Sequence, residues 1–315
     1  MAVPNLQLKS GHKIPQIGLG TWLSKPGEVK QAVLDALEIG YRLIDCAQAY
    51  GNQKEVGAAL REFLSTGTAT RSELFITSKI WNTYHSRAEV KKAVEICLSD
   101  LQLDYVDLML IHWPMGYKEN VDVNVPKTEK GESLYSEVDY LETWRGLEEK
   151  VQEGKIRSLG LSNFNHVQVQ RIMDNSNIQP TYLQVELHPY FAQQRLHVWC
   201  QQRGIILTGF SPLANPTHMF RKEGQPMLLE EPVLIDIAAK HGRSPAQVAL
   251  RWAIQRGLGV IPKSVTKKRI AENFNVFDFE LTAGEMKQVD SLDRNWRILT
   301  LERDMKHPFY PFNDF

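Results

Sequence analysis

Four polar side chains stand out by type and spacing: Asp45, Tyr50, Lys79 and His112. Asp45 ends the short apolar run Leu43-Ile44-Asp45, and Tyr50 follows on the next loop. Lys79 ends a run at 74–79, and His112 ends one at 106–112. A phenol with its ordinary pKa of about 10 is a poor acid–base group near neutral pH. A neighbouring ammonium lowers the cost of ionising it. Lys79 can supply that charge, Asp45 can hold Lys79 by pairing with it, and His112 can orient a carbonyl oxygen. Together they make a proton donor and an oxyanion-stabilising pocket with neither nucleophile nor metal, which is what hydride addition to a carbonyl needs. Singly, each has an ordinary role. Asp45 is a cap or ion-pair partner, Lys79 or Tyr50 a surface or core residue, and His112, before Trp113-Pro114, a hydrogen-bonded core histidine.

Such convergence needs neighbouring strand ends on one face. Eight short apolar runs follow one another, at 17–20, 43–45, 74–79, 106–112, 158–162, 182–186, 205–210 and 260–263. Each is short and bounded by turn or polar residues, which favours buried strands. Helical patterns lie between them. Val29, Val33, Ala36 and Leu37 form a stripe that Gly40 ends. Ser86-Arg-Ala-Glu89 reads as a capping box before Val90, Val94, Cys97, Leu98 and Leu101. Ser244-Pro-Ala-Gln247 combines a capping box with proline at the first helical position, and Gly257 stops that helix. Thr282-Ala-Gly-Glu285 opens a last helix with Met286, Val289 and Leu292.

Eightfold strand–helix alternation predicts an α/β fold, a (β/α)8 TIM barrel, because parallel strands need crossover helices. An open doubly wound sheet has the same local pattern. Residues 1–315 read as a single domain. The segments 115–137, 214–230 and 293–315 are too long for ordinary barrel connections, and loops after strands build the active-site face of a barrel.

Lys+Arg and Asp+Glu are both 37, so no net charge draws nucleic acid or an anionic membrane. Apolar runs such as 108–111 are too short to span a bilayer, and the N-terminus does not resemble a signal peptide. Cys46, Cys97 and Cys200 are widely spaced, without a C-x-x-C, and Asn215-Pro-Thr is disqualified as a sequon by its proline. The expectation is a cytoplasmic monomer acting on a small carbonyl substrate, with no nucleic-acid or membrane partner.

Several motifs bear a resemblance when taken in order. They are Gly18-Leu-Gly-Thr-Trp22, Leu43-Ile-Asp-Cys-Ala-Gln-Ala-Tyr-Gly-Asn52 with Glu55-Val-Gly57, Ile76-Thr-Ser-Lys79, Leu110-Ile-His-Trp-Pro114, Gly160-Leu-Ser-Asn-Phe164, Gln184-Val-Glu-Leu-His-Pro-Tyr190 and Ile261-Pro-Lys-Ser264. The chain resembles the aldo-keto reductase family, in its aldose and aldehyde reductase branch, over nearly its whole length. The resemblance implies a barrel opening with an N-terminal β-hairpin and NADPH-dependent reduction of aldehydes and ketones. It also implies a tetrad of Tyr50 as general acid with Lys79, Asp45 and His112.

Gly18-x-Gly20 has Leu23 where a Rossmann fingerprint wants a third glycine, so the nucleotide must be held otherwise. Lys263 and Arg269 flank a helix start with hydroxyls between, which suits a phosphate monoester as well as a solvated basic turn. By resemblance Lys263, Ser264, Val265, Thr266 and Arg269 hold the 2′-phosphate of NADPH, while Glu272 and Asn273 face the adenine. Ser162, Asn163 and Gln184 match the positions that hold the nicotinamide amide, and Phe210, where the family commonly has Tyr, stacks on its ring. Gly20, Thr21, Trp22, Asp45, Ser211 and Leu213 complete the expected NADPH/NADP+ site.

Trp22, Tyr50, Trp81, His112, Trp113, Phe220 and Leu301 are expected, again by resemblance, to line an apolar substrate pocket. Such a pocket favours aromatic and medium-chain aldehydes over free sugars. Trp296-Arg-Ile-Leu-Thr300 lacks the reactive cysteine of aldose reductase, so redox control through that thiol is expected to be absent. The resemblance also implies an aspartate that pairs with two lysines to hold a loop over the pyrophosphate; this chain keeps one, Lys263, but has Leu23 for the other lysine and Thr217 for the aspartate, which implies fast NADP+ release. Two alternatives remain open at this point. One is a hydroxysteroid or prostaglandin reductase with the same chemistry. The other is an NADPH-binding module with little turnover that partners a channel or serves as a structural protein, and the intact tetrad weighs against it.

Overall fold

The computed structural model describes residues 3–215 and 224–313, so Thr217 and Phe220 lie outside the described residues. Two short antiparallel strands, β1 (Asn5–Gln7) and β2 (Lys13–Pro15), form the expected hairpin. Eight parallel strands follow: β3 (Leu19–Gly20), β4 (Leu43–Asp45), β5 (Phe75–Ile80), β6 (Val106–Ile111), β7 (Ile156–Ser162), β8 (Tyr182–Glu186), β9 (Ile206–Phe210) and β10 (Gly259–Val260). Each pairs with its sequence neighbour. The sheet closes where Ile17 bridges Val260 and Gly20 bridges Lys263, both in parallel. The fold is therefore a (β/α)8 barrel and not an open doubly wound sheet. At this seam a side chain on Gly20 would meet the Ile261 carbonyl oxygen at 2.8 Å, so glycine is required.

Helices connect these strands, and two more follow the last strand. They include α1 (Val29–Ile39), α2 (Gln53–Ser65), α3 (Arg87–Leu101), α4 (Tyr140–Gln152), α5 (His166–Asn175), α6 (Gln194–Gln202), α7 (Pro232–His241), α8 (Pro245–Gln255), α9 (Lys267–Phe274) and α10 (Ala283–Asp290). Their apolar stripes pack on the outside of the sheet. On α1, Val29, Val33, Ala36 and Leu37 are all buried, and Gly40 at φ 120° ends the helix. A second apolar cluster plugs the barrel: Leu8 and Ile14 of the hairpin pack with Leu43, Phe75, Leu108, Leu110, Tyr182 and Ile261.

The capping box expected at Ser244 forms, and a further one forms at the expected start of the last helix. Ser244 and Gln247 exchange hydrogen bonds at the start of α8, and Thr282 and Glu285 do so at α10. The one expected at Ser86 does not form. Ser86 occupies the N-cap of α3, but its side chain caps nothing. Carboxylates from distant segments serve instead: Glu119 accepts the Ser86 N–H at 2.6 Å and Glu142 accepts the Arg87 N–H at 3.1 Å. Glu119, on the loop beyond β6, takes the Ser86 N–H that the Glu89 carboxylate would accept in a capping box.

Described residues of all three long segments line one cavity with the strand ends, among them Asn124, Met227 and Leu301. The first folds back on itself, with antiparallel bridges Tyr117–Tyr135 and Lys127–Ser133. The last contains short 3-10 turns at Glu302–Asp304 and Pro311–Asn313. Among the described residues, no helix is long and apolar enough to cross a membrane.

Candidate active site

Asp45 is the last residue of β4. Tyr50 closes a 3-10 turn, Gln48–Tyr50, and the chain leaves it through Gly51 at φ 68°. Lys79 is the penultimate residue of β5, one short of the strand end, and His112 directly follows β6, where its N–H still bonds the Ile80 carbonyl at 3.1 Å. Parallel pairing of β4, β5 and β6 thus brings all four to one rim.

Lys79 is 1% exposed and spends its three donors on Asp45 Oδ1, the Cys46 carbonyl at 2.9 Å and the Tyr50 hydroxyl at 3.1 Å. Gln184 of β8 donates to the other Asp45 oxygen at 2.7 Å. Burial opposes the Lys79 ammonium, yet Asp45 and Tyr50 overcome it and leave its pKa raised. Burial is also the largest influence on Tyr50. It pushes the phenol up to about 12, and Lys79 only partly offsets it. The sequence suggested a phenol lowered by its ammonium neighbour; desolvation outweighs that pull. Tyr50 is therefore a neutral donor at physiological pH. Burial and the nearby Lys79 charge hold His112 well below the usual imidazole range, so its ring is neutral as well. Its Nδ1 is buried with no hydrogen-bond partner among the described residues, leaving Nε2 as the nitrogen available to a ligand. Trp81 meets the His112 ring edge-on at 5.2 Å.

Tyr50, Asp45 and His112 open into a cavity of about 900 Å³. That is near the upper end of the range of about 300–1,000 Å³ typical of ligand pockets. Lys79 lies behind its wall. The residues expected at a cofactor all line this cavity: Gly20, Thr21, Trp22, Ser162, Asn163, Gln184, Phe210, Ser211, Leu213, Lys263, Ser264, Val265, Thr266, Arg269, Glu272 and Asn273. Several are fixed by local bonds. The Thr21 hydroxyl donates to the Asp45 carbonyl at 2.9 Å, and Asn163, at φ 61°, donates to the His112 carbonyl at 3.0 Å. Asn163 Oδ1 is left buried with no partner among the described residues. Arg269 makes no ion pair among the described residues. Lys263, whose pKa burial lowers, donates to the Leu23 carbonyl at 3.3 Å.

Trp81, Trp113 and Leu301 line the same cavity, as expected. Ala49, Asn124, Val125, Leu299 and Arg303 also line the cavity, and the sequence did not single them out. Ser244, Pro245 and Ala246, at the start of α8, were missed as cavity residues although their capping box was legible.

The aldo/keto reductase family model matches residues 16–294. The chain belongs to the aldo/keto reductase family. It is 48% identical to aldo-keto reductase family 1 member A1 of Rattus norvegicus, over 100% of this chain and 99% of that protein. The Homo sapiens protein of the same name is also 48% identical with the same coverage. The solved aldose reductase of Schistosoma japonicum superposes with a TM-score of 0.93 at 43% identity, covering 99% of both chains. As an aldo/keto reductase, the protein is an oxidoreductase whose family reduces small carbonyl compounds with a nicotinamide cofactor.

Proposed function

We propose that the protein reduces aldehydes and ketones with NADPH, using Tyr50 as the proton donor. The observation that carries this is the chain Asp45–Lys79–Tyr50 ending beside His112 in one cavity. The cavity lining fits a phosphorylated dinucleotide. Arg269 and Lys263 stand beside the start of α9, and Asn163 Oδ1 is a buried acceptor suited to a carboxamide N–H. Lys263, Ser264, Val265, Thr266 and Arg269 would hold the 2′-phosphate, and Glu272 and Asn273 the adenine. Ser162, Asn163 and Gln184 would hold the amide, with Phe210 against the ring and Gly20, Thr21, Trp22, Ser211 and Leu213 along the rest. When bound, NADPH supplies the hydride.

His112 Nε2 orients the substrate oxygen, and Tyr50 gives its phenolic proton to the alkoxide that develops there. Lys79 stabilises the phenolate left behind, and Asp45 keeps Lys79 charged and in place. Trp22, Trp81, Trp113 and Leu301 exclude water from the reacting carbonyl and favour apolar aldehydes.

Mixing the protein with NADPH and 4-nitrobenzaldehyde should make the NADPH absorbance fall catalytically. A decrease limited to one equivalent, or none, would favour a cofactor-binding module. We further propose a cytoplasmic monomer. Cys46, Cys97 and Cys200 are free and buried, and the exposed large apolar side chains, such as Val123, Val167, Val198 and Ile235, lie on different elements. Sedimentation at micromolar concentration tests the monomer.

A further inference from the structure

The segment that carries Leu299 and Leu301 to the cavity lies in neither a helix nor a strand from 293 to 301. Two buried carboxylates fix it instead. Glu186, 1% exposed, is the last residue of β8. Its two oxygens accept the backbone N–H groups of Ile298 at 2.6 Å and Leu299 at 2.7 Å, and His188 meets it at 3.0 Å. Asp304 is fully buried just past Leu301. It accepts the Tyr117 hydroxyl at 2.6 Å, the Ser133 hydroxyl at 2.7 Å, the Tyr135 hydroxyl at 3.4 Å and Arg303 Nε at 3.2 Å.

Tyr117, Ser133 and Tyr135 all belong to the folded-back loop after β6. The far part of that loop supplies Asn124 and Val125 to the cavity, and the Asn124 carbonyl accepts Trp81 Nε1 at 2.6 Å. Trp81, Trp113, Met115, Tyr117 and Tyr310 form an apolar cluster against which Val125, Leu299 and Leu301 pack. Asp304 is thus the polar centre of an otherwise apolar junction between two cavity walls. Burying a carboxylate is costly unless its oxygens are satisfied, and four donors in fixed directions make one loop arrangement strongly preferred. Burial, reinforced by Asp304, keeps Tyr117 above the usual phenol range, so it remains a donor.

We propose that Asp304 is a positioning residue that sets the aldehyde selectivity of this enzyme. It does so by locking the Leu299–Leu301 wall to the loop after β6, with Glu186 anchoring the other end of that wall. The proposal rests on the reductase reading above. Asp304 contacts no residue of the phosphate-binding corner at 263–269, so cofactor affinity and selectivity should separate.

The test is Asp304→Asn, with Tyr117→Phe and Ser133→Ala as milder variants that remove one donor each and leave the buried charge partnered. For each we would measure KM and kcat over a series from a small aliphatic to a bulky aromatic aldehyde, NADPH affinity by fluorescence, and amide hydrogen exchange across 298–307. The expected result for Asp304→Asn is a KM for the aromatic aldehyde raised about tenfold relative to the aliphatic one. Its kcat should stay within about twofold, NADPH affinity unchanged, and exchange faster in that segment. Tyr117→Phe should show the same pattern at smaller size. An unchanged KM ratio in all three variants, or a fall in kcat equal for every aldehyde, would overturn the proposal. So would exchange in 298–307 that does not respond. If the wild-type protein reduces no aldehyde, the reductase reading fails and the selectivity proposal with it. Exchange in 298–307 still reports whether Asp304 holds the wall, so the two failures are distinguishable.

Discussion

At the scale of single residues, the tetrad was legible because Asp45, Lys79 and His112 sit at or next to strand ends, Tyr50 follows on the first loop, and parallel strands align their ends. The sign of the Tyr50 shift was not legible, since it depends on how much barrel closes over the phenol. Lys79 remains the group that limits the cost of the phenolate, so Lys79→Met should lower kcat by about a hundredfold or more. Removing a charge that lowers the Tyr50 pKa moves that pKa further up. The alkaline rise in alcohol oxidation, which needs the phenolate, should therefore shift to higher pH in this variant, or vanish from the accessible range. A pH profile superimposable on wild type would exclude Lys79 from this role. In the same cavity, Arg269→Ala should weaken NADPH by about one to two decades and leave NADH little changed. Equal loss for both cofactors in equilibrium titration would mean that Arg269 does not read the 2′-phosphate. Arg303, Asn124 and Leu299 escaped sequence reading for a physical reason. They reach the cavity only because Glu186, Asp304 and Trp81 hold their loops, and those contacts join residues far apart in the chain.

At the scale of elements, all eight barrel strands were legible from short bounded apolar runs, with ends displaced by at most three residues. Caps were legible only where both partners are local. Ser244 and Gln247 are three residues apart and found each other; Ser86 lost its helix end to Glu119 and Glu142. This difference is measurable. Ser244→Ala should cost about 1 kcal/mol in denaturant unfolding, whereas Ser86→Ala should cost almost nothing and Glu119→Ala should cost about as much as Ser244→Ala. The reverse order would show that the local hydroxyl governs α3 after all.

At the scale of the whole molecule, we propose that residues 1–315 unfold as one unit. The main apolar cluster runs from Ile17 to Leu292, and the hairpin packs into the barrel through Leu8 and Ile14. Buried histidines make this whole respond to acid, His85 and His112 among them. His85 is fully buried behind the loop after β6; burial, and then the proximity of His307, push its pKa down to about 3. A histidine whose folded pKa is depressed contributes stability above its unfolded pKa of about 6.5 and loses it as pH falls toward the folded value. Stability should therefore drop between about pH 6.5 and pH 3, and His85→Leu should make that part of the curve shallower, with His112 leaving a residual slope, in unfolding followed by circular dichroism. An acid limb of the same slope would assign the titration to other groups.

The central claim concerns the proton given to the substrate oxygen, and Tyr50→Phe tests it most directly. The variant keeps the ring beside His112 and removes only the hydroxyl that Lys79 contacts. NADPH affinity should stay near wild type by fluorescence titration, while kcat for 4-nitrobenzaldehyde falls by about 10²–10⁴ or more. Tyr50→Phe retaining more than a few per cent of the wild-type kcat, with NADPH bound normally, would contradict the assignment and place the proton donor elsewhere.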